Sequence, residues 1–303
     1  MPTAGPIRLG VAPIAWSNSD LPQLGGDTSL ETCLRETRHA GFSGTETGVK
    51  FPMDAKTLGP ILDKHRLKLV SGWFSGELLK RSVKAEQARI LKQMEVFKAL
   101  GAPVLVYAET TGTVQNKLKA PLSTRPRIAD EEFRAYGRKL TELAEWMSDF
   151  GVPMTYHHHM GTVVETEREV DLLMAHTGKA VGLLLDSGHL TFAGGDVAAT
   201  TRRHGRRINH VHCKDLRFDV LKKVRQKEMS FLAGVIEGVF TVPGDGFIDF
   251  HAFARVLADV GYEGWVVVEA EQDPKKAPPY EYSLMGRRHL VNAFEAAGYH
   301  IEE

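Results

Sequence analysis

Short apolar segments alternate with segments of helical period from one end of the 303-residue chain to the other. Continuous apolar runs are typical of strands that are covered on both faces, whereas strands with one wet face alternate apolar and polar residues. We predict eight covered strands, in the segments IRLGVAPI, GTETG, LKLVSGW, PVLVYAE, PMTYHHH, VGLLLD, INHVHCKD and WVVVEAE.

Between these strands, apolar residues recur at the spacing of a helix face. Ile90, Met94 and Phe97 form one such set. A second set comprises Phe133, Tyr136, Leu140, Leu143 and Met147. Thr28 with Glu31 predicts a capping box at the start of the first helix. The recurrent elements GAP, GVP and GYEG are predicted to end helices and lead into strands.

Eight repeats of strand and helix, with no break in composition, predict the α/β class and a (β/α)8 TIM barrel forming a single domain over residues 1–303. A doubly wound open sheet is the alternative. It is disfavoured because VAPIAWSNSD, rather than a glycine-rich phosphate loop, follows the first strand. The longest stretch predicted to be irregular is about residues 216–249, including VPGDG. Loops of that length are often active-site lids, so we expect a lid there.

The overall charge and composition narrow the function classes. The chain has 38 basic and 38 acidic residues and therefore no net charge. Proteins that bind nucleic acid usually carry a basic excess, and the basic run at residues 202–207 is more typical of a solvated helix face. Two cysteines, no apolar run of about 20 residues and no signal-peptide pattern predict a cytoplasmic protein without a membrane span.

Ionisable side chains collect where the predicted strands end, which in a TIM barrel is the catalytic face. The residues at these ends are Glu46, Trp73, Glu109, His157, His159, Asp186, His189, His210, His212, Glu269 and Glu271. Because side chains alternate along a strand, His157 and His159 should point one way and His158 the other, into the barrel wall or a helix. So many imidazoles and carboxylates at one mouth are costly unless they are paired or bind a cation.

The last four strands supply a candidate metal site with two imidazoles and two carboxylates: His157, Asp186, His212 and Glu269. This mixed nitrogen and oxygen set suits Mn²⁺ or Co²⁺, with Fe²⁺ and Zn²⁺ as alternatives. The neighbouring residues left for proton transfer or for support of the ligands are His159, His189, Lys214 and Glu271. Taken singly, each has a structural explanation as well, because a histidine can be hydrogen-bonded in a core and Asp186 can cap the next segment.

Three motifs, LLLDSGH, INHVHCKD and GYEGWVVVEAEQD, resemble the xylose isomerase-like superfamily of sugar isomerases and epimerases. Within it the chain is similar to the inosose dehydratases, through APIAWSNSDLP, GTETG followed by Lys50, YHHHMGT, GVFTVPGDGFIDF and WVVVEAEQDP. The resemblance covers essentially the whole chain. Most relatives carry a glutamate as the strand-five ligand, and alignment puts His157 there, with His159 on the same side as the alternative.

The resemblance implies a metal-dependent hydro-lyase of inositol catabolism that dehydrates 2-keto-myo-inositol (scyllo-inosose) to a trihydroxycyclohexane-dione. From their positions at the strand ends, His159 and His189 are the candidates for base and acid, in either order, with Glu271 and Lys214 in reserve. Ring hydroxyls are then expected to bind Glu46, Lys50, Glu109 and Arg217, and the apolar ring face to lie on Trp16 or Trp73. The expected partners are a small polyol ketone and further copies of the chain in a homo-oligomer, and neither nucleic acid nor membrane.

Other functions share the same barrel. A ketose isomerase or epimerase would use the same metal, but the usual epimerase needs two carboxylate bases and His157 removes one. A dehydratase of a shikimate-pathway keto acid would need a cationic clamp for its carboxylate. A multi-metal DNA-repair endonuclease is disfavoured by the zero net charge. A non-catalytic sugar-binding protein would bind its ligand without metal or turnover.

Overall fold

A computed structural model of the chain describes residues 4–303, so residues 1–3 of the predicted domain and the predicted lack of a signal peptide lie outside the described part. The strands in chain order are β1 (Pro6–Val11), β2 (Gly44–Thr47), β3 (Lys68–Gly76), β4 (Leu105–Glu109), β5 (Met154–His157), β6 (Gly182–Asp186), β7 (Ile208–Cys213), β8 (Asp215–Leu216), β9 (Phe240–Thr241), β10 (Gly264–Val268) and β11 (His300–Glu302).

The helices alternate with these strands. They are α1 (Leu30–His39), α2 (Ala55–His65), α3 (Val83–Ala99), α4 (Glu132–Phe150), α5 (Glu167–Ala175), α6 (Ser187–Phe192), α7 (Val197–His204), α8 (Phe218–Gln226), α9 (Phe231–Glu237), α10 (Phe250–Asp259) and α11 (Pro279–Ala296). Among residues 4–303, no helix has the length and hydropathy that a bilayer crossing requires.

Strands β1 to β7 and β10 form one parallel sheet in which β10 also pairs with β1. The sheet is therefore a closed barrel of eight parallel strands surrounded by helices, and the predicted TIM barrel is confirmed. Each predicted strand segment overlaps one barrel strand. Strand β11 pairs with β1 as an additional strand outside the ring.

The helix predictions agree with the structure except at one cap. The predicted apolar sets of α3 and α4 are buried, and Gly101, Gly151 and Gly261 follow helices with φ of 71°, 100° and 70°. Such positive φ angles suit glycine. The predicted capping box is wrong, because α1 is capped by Ser29, whose hydroxyl accepts from the Thr32 amide. Glu31 turns away from the backbone to the Lys64 ammonium, 2.9 Å away.

The stretch at residues 216–249, predicted to be irregular, is mostly structured. Strands β8 and β9 pair antiparallel, and α8 and α9 lie between them. Leu221 and Val224, three residues apart on α8, are buried in a small apolar cluster with Phe231, Val235 and Phe240. This excursion from the barrel therefore has a hydrophobic core of its own. Its role as a lid remains a prediction.

Two register shifts in the barrel position polar side chains. One lies in the β2–β3 pairing after Thr45 and places Glu46 opposite Ser71. The other lies in the β6–β7 pairing after Leu183 and places Asp186 opposite His212. An extra residue in a ladder changes the direction of the side chains that follow it. Both shifts precede residues at the catalytic mouth.

Candidate metal centre and active site

A cavity of about 750 Å³ opens at the carboxyl ends of the barrel strands. The predicted site residues that line it are Glu46, Trp73, His157, His159, His212, Glu269 and Glu271. Asp186, His189 and Lys214 lie behind this lining, and none of the three has exposed surface. The structure thus brings together the four predicted metal ligands and the four predicted proton-transfer residues at one barrel mouth.

The four predicted metal ligands each offer one atom to a cluster in which all atoms lie within 4.8 Å of one another. Asp186 Oδ2 is 3.6 Å from His212 Nδ1 and 3.9 Å from His157 Nε2. Glu269 Oε2 is 2.5 Å from His212 Nδ1. The ligands come from the ends of β5, β6 and β7 and from the residue following β10.

Hydrogen bonds fix which ring nitrogen of each histidine faces this cluster. His157 Nδ1 is 2.6 Å from the His158 carbonyl, which only accepts, so Nε2 keeps its lone pair toward Asp186. His212 Nε2 is 2.9 Å from Glu46 Oε1, which leaves Nδ1 for the cluster. His158 lies on the opposite face, as predicted, and its Nε2 accepts from the Asp186 amide. Partners of this kind commonly orient histidine ligands of metals.

The residues present fit a divalent cation. Asp186 Oδ2 is buried and has no hydrogen-bond donor among residues 4–303, and His212 Nδ1 faces only the carboxylates of Asp186 and Glu269. Buried polar atoms without partners are costly, and a cation between them would satisfy both. Two nitrogens and two carboxylate oxygens are also a donor set that first-row divalent metals accept. The buried cluster therefore suggests a divalent metal ion.

Proton binding competes with a metal at this cluster. Burial opposes protonation of His212, but the charges of Glu269 and Glu46 outweigh it and raise the pKa of His212 well above its ordinary range. At His157 burial prevails, helped by the charge of His212, and lowers the pKa well below its usual value. A metal ion would have to displace the His212 proton, so its binding should be accompanied by proton release.

Lys214 lies behind the cluster as a buried cation. Its Nζ is 2.8 Å from Glu269 Oε1, 2.7 Å from Glu271 Oε2 and 2.8 Å from His189 Nε2. Burial opposes the charge of Lys214, but Glu269 and Glu271 outweigh it and raise the pKa of the ammonium. Because an ammonium only donates, His189 Nε2 accepts, and burial holds the pKa of His189 well below its usual value. His189 is therefore a neutral acceptor for Lys214.

Glu271 and His159 form a pair suited to proton transfer. Burial raises the pKa of Glu271 to about 7, although Lys214 opposes this shift. Its Oε1 is 4.0 Å from His159 Nε2. His159 Nδ1 is 2.8 Å from the Met160 carbonyl, so Nε2 is the free nitrogen, and burial lowers the pKa of His159 to about 4. The cavity thus holds a carboxyl that exchanges its proton near neutral pH beside a neutral imidazole.

Aromatic rings frame these groups. The Trp73 ring meets the rings of His157 and His159 edge-on, with centroids 5.6 and 5.4 Å apart. From the excursion, the Phe231 ring lies 5.0 Å from the His159 ring, and Lys214 Nζ lies 4.9 Å from the Phe240 ring centre. Sequence reasoning missed both phenylalanines. Their only signal is that they are large apolar residues inside the stretch that was expected to be a lid.

Trp16 and Lys50 do not line the cavity, in contrast to their predicted contact with substrate. Trp16 is 1% exposed and its indole Nε1 donates to Glu36 Oε2 at 2.7 Å. Lys50 is exposed and its Nζ donates to the Gly26 carbonyl at 2.5 Å. Trp16 is a packing residue behind the first strand, because a ring of that size is buried where its N–H finds an acceptor.

Glu109 and Arg217 are likewise engaged elsewhere. Glu109 lies at the end of β4, but its carboxylate accepts from the backbone amides of Leu78 and Thr111 at 2.8 and 3.1 Å. Arg217 donates to Asp245 Oδ2 and to the Gly238 carbonyl, both at 2.7 Å. Both side chains organise loops and neither lines the cavity, and the substrate contacts of these two residues stay a prediction.

Glu46 lines the cavity, but its Oε1 is turned to protein donors. His210 Nε2 lies 3.1 Å from it and His212 Nε2 2.9 Å, and the Ser71 hydroxyl also donates to it. Sequence reasoning assigned no role to Ser71 or His210. The spacing of His210 and His212 was an available signal, since residues two apart on a strand share a face.

The chain is similar in sequence to known proteins over nearly its whole length. The family described as "Xylose isomerase-like TIM barrel" matches residues 34–289. A "Rhizopine catabolism protein MocC" of Rhizobium meliloti is 51% identical over 295 residues, covering 97% of this chain and 91% of that protein. An "Inosose dehydratase" of Clostridium tetani is 41% identical over 286 residues, covering 94% of this chain and 96% of that protein.

Solved structures show the same fold at lower identity. An L-ribulose 3-epimerase has a TM-score of 0.68 at 17% identity, covering 96% of this chain and 95% of its own. The IOLI protein with a bound zinc atom has a TM-score of 0.66 at 20% identity, covering 95% of this chain and 98% of its own. At these identities the likeness concerns the barrel alone.

Proposed function

This chain belongs to the xylose isomerase-like TIM-barrel family of sugar-modifying enzymes, as a relative of the inosose dehydratases and MocC, and from that premise we propose that it is a metal-dependent hydro-lyase. Its substrate in this proposal is 2-keto-myo-inositol (scyllo-inosose), which loses water to give a trihydroxycyclohexane-dione. The observation that carries the proposal is the buried cluster of His157, Asp186, His212 and Glu269 beside the Glu271–His159 pair in one cavity.

The reaction removes a proton from the carbon next to the ketone and a hydroxide from the following carbon. The C–H and C–O bonds break, a C=C bond forms between the two carbons, and the resulting enol converts to the second ketone. A divalent ion such as Mn²⁺ or Co²⁺, held by the four ligands, would stabilise the negative charge that develops on the ketone oxygen. The protein must then supply a base and an acid.

His159 and Glu271 are the proton-transfer residues in this proposal, because both line the cavity. The free Nε2 of His159 accepts the proton from carbon. Protonated Glu271, whose pKa burial raises to about 7, donates to the departing hydroxyl. Lys214 and His189 lie behind Glu271 and contact it from the buried side, so we assign them to positioning Glu271.

Trp73 and Glu46 are the predicted substrate contacts that line the cavity, and we assign Trp73 to the apolar face of the ring. Its ring approaches His157 and His159 edge-on, so the proposed metal ligand and the proposed base both pack against it. An aromatic ring offers an apolar surface to the C–H face of a polyol ring while hydroxyls meet polar groups around it.

A ketose isomerase or epimerase is the competing function. It would use the same metal ligands, and the alternative differs in where the abstracted proton returns. The strand-five ligand position is His157 rather than a carboxylate, which removes one of the two carboxylate bases that the usual epimerase employs. The observation therefore favours dehydration.

One assay separates the two functions. Protein reconstituted with Mn²⁺ or Co²⁺ is incubated with 2-keto-myo-inositol and, separately, with ketohexoses. The proposal expects a dione absorbance from the inosose and unchanged ketohexoses. Epimerised ketohexose without dione would establish the competing function, and binding of the inosose without turnover would indicate a non-catalytic sugar-binding protein.

A further inference from the structure

Glu46 lines the cavity, but its Oε1 is occupied by three protein donors rather than left free for a hydroxyl of the substrate. We propose that Glu46 is a positioning residue that holds His212 with Nδ1 toward the metal, and this inference rests on the metal site of the proposed function. No ring hydroxyl of the substrate is assigned to it.

The backbone builds this contact. The register shift after Thr45 places Glu46 opposite Ser71, whose hydroxyl donates to Glu46 Oε1. Without the shift, the pairing would continue at Val70, and Glu46 would lie opposite a residue without a polar side chain. The barrel thus departs from regular pairing where this carboxylate needs a donor, and bulges often redirect side chains beside active sites.

Two imidazoles on β7, those of His210 and His212, also contact Glu46. His212 Nε2 and His210 Nε2 lie 2.9 and 3.1 Å from Glu46 Oε1. A carboxylate only accepts, so it fixes a proton on His212 Nε2 and leaves Nδ1 as the nitrogen that faces Asp186 and Glu269. A carboxylate partner also makes an imidazole a stronger metal ligand. His210 takes part as a second donor that keeps Glu46 in place.

A second metal ion held by Glu46, His210 and His212 is the competing interpretation of this triad. Its three ligand atoms do lie within 4.8 Å of one another. The hydrogen bonds argue against it, because both imidazole nitrogens and the Ser71 hydroxyl already converge on the single oxygen that such an ion would need. The cluster of His157, Asp186, His212 and Glu269 differs, because its buried Asp186 Oδ2 lacks a hydrogen-bond donor among residues 4–303.

The experiment compares Co²⁺ affinity of the full-length wild type, Glu46→Gln and a matched control, Glu86→Gln, by competition with a chelator. Glu86 is equally a buried carboxylate, but it bonds Tyr107 and Arg89, remote from the metal ligands. We expect Glu46→Gln to weaken Co²⁺ binding about 10–100-fold, as loss of such a partner does elsewhere, and Glu86→Gln to change it less than about twofold.

A second measurement needs no variant that could fail to fold. In Zn²⁺-loaded protein labelled with ¹⁵N-histidine, long-range ¹H–¹⁵N correlation should show His212 protonated at Nε2 and coordinated through Nδ1. Protonation at Nδ1, or wild-type affinity in Glu46→Gln, would overturn the inference while leaving the metal site intact. Two ions in the wild type and one in Glu46→Gln would make Glu46 a ligand. A wild type that binds no ion would remove the metal site and this inference together.

Discussion

His212 stands between two carboxylates, with Nδ1 facing Glu269 and Nε2 facing Glu46. The histidine is 2% exposed, so both contacts are largely shielded from bulk solvent. A single imidazole therefore connects the support on β2 with the ligands on β6 and β10. Loss of this ring should affect the metal site more than loss of any surface group.

We predict that His212→Ala or Glu269→Ala lowers kcat/KM on the inosose by at least about 100-fold and removes the tightly bound ion, because each deletes a ligand. Dione absorbance and elemental analysis of dialysed protein measure the two effects. Exposed Glu145 on α4 offers a matched control, Glu145→Ala, that should keep both activity and metal. Full turnover of the His212 variant after chelator treatment would rule out the metal mechanism.

His158 supplies a pH-dependent contribution to stability. Burial lowers its pKa from an ordinary 6.5 to about 4, so between these values the unfolded chain binds the proton more readily than the folded one. Stability from this residue is complete above about pH 6.5 and is lost as the pH falls toward 4, by about 3 kcal/mol at most. The physical cause is burial, which opposes the charged form of the ring, and a protonated Nε2 could also no longer accept from the Asp186 amide.

Urea unfolding at several pH values between 7 and 4.5 tests this. His158→Gln keeps an acceptor for the Asp186 amide but cannot titrate, so its stability should fall less steeply with decreasing pH than that of the wild type. His39→Gln, at an exposed position on α1, should retain the wild-type slope. Equal slopes for all three proteins would contradict the assignment.

At the residue level, sequence position alone predicted which side chains gather and not what each one contacts. His157, Asp186, His212 and Glu269 were predictable because strand alternation and barrel closure determine their direction. Glu109 also ends a strand, yet its carboxylate meets backbone amides of a neighbouring loop. The conformation of the neighbouring loop decides what the Glu109 carboxylate contacts, and loop conformation leaves no periodic signal in the sequence.

Among the elements, the excursion between β7 and β10 most affects the site. It is held together by Arg217, which donates to Asp245 and to the Gly238 carbonyl within the excursion, and Asp215, two residues after β7, accepts from the Gly244 amide. Its phenylalanines contact His159 and Lys214. One wall of the cavity therefore depends on a segment with a separate small core.

Arg217→Ala should loosen this segment. Loss of the four Arg217 hydrogen bonds is expected to reduce the free energy of unfolding by about 1–3 kcal/mol and to speed limited proteolysis within residues 218–237. Mass spectrometry of early fragments identifies the cleavage sites. Arg35→Ala, which removes an exposed arginine from α1, serves as control. If both variants are cleaved at the wild-type rate and position, the arginine does not fasten the excursion.

The sequence predicts the excursion to be irregular for a physical reason. Strands β8 and β9 are two residues each, and α8 and α9 span nine and seven residues, so each is too short for a periodic pattern to stand out. The barrel strands, by contrast, are continuous apolar runs at regular spacing. Long-range pairing of β8 with β9 across two helices is a tertiary feature that local sequence does not specify.

At the scale of the whole molecule, the barrel was predictable because eight strand and helix repeats leave few ways to cover both faces of every strand. Strand β11 was not predicted. Its three residues pair with β1 outside the ring and lie after the last barrel helix, where the alternation had already ended. The alternation of strands and helices therefore predicts a closed parallel barrel, but it does not predict an additional strand such as β11.

The cysteines provide a test of the barrel as a whole. Cys33 lies in α1 and Cys213 in β7, both buried, and burial raises the pKa of the Cys33 thiol to about 12 and that of Cys213 well above its usual value. Thiols of this kind are unreactive. Ellman's reagent should titrate almost none in the native protein and two per chain in denaturant. Rapid labelling under native conditions would mean that the barrel opens locally.

The ammonium of Lys214, held against Glu269 and Glu271 without exposed surface, bears on how the enzyme matures. It supplies the carboxylates with a permanent countercharge from within the chain. We therefore expect the polypeptide to fold before it takes up an ion, and a chelator to leave the scaffold intact.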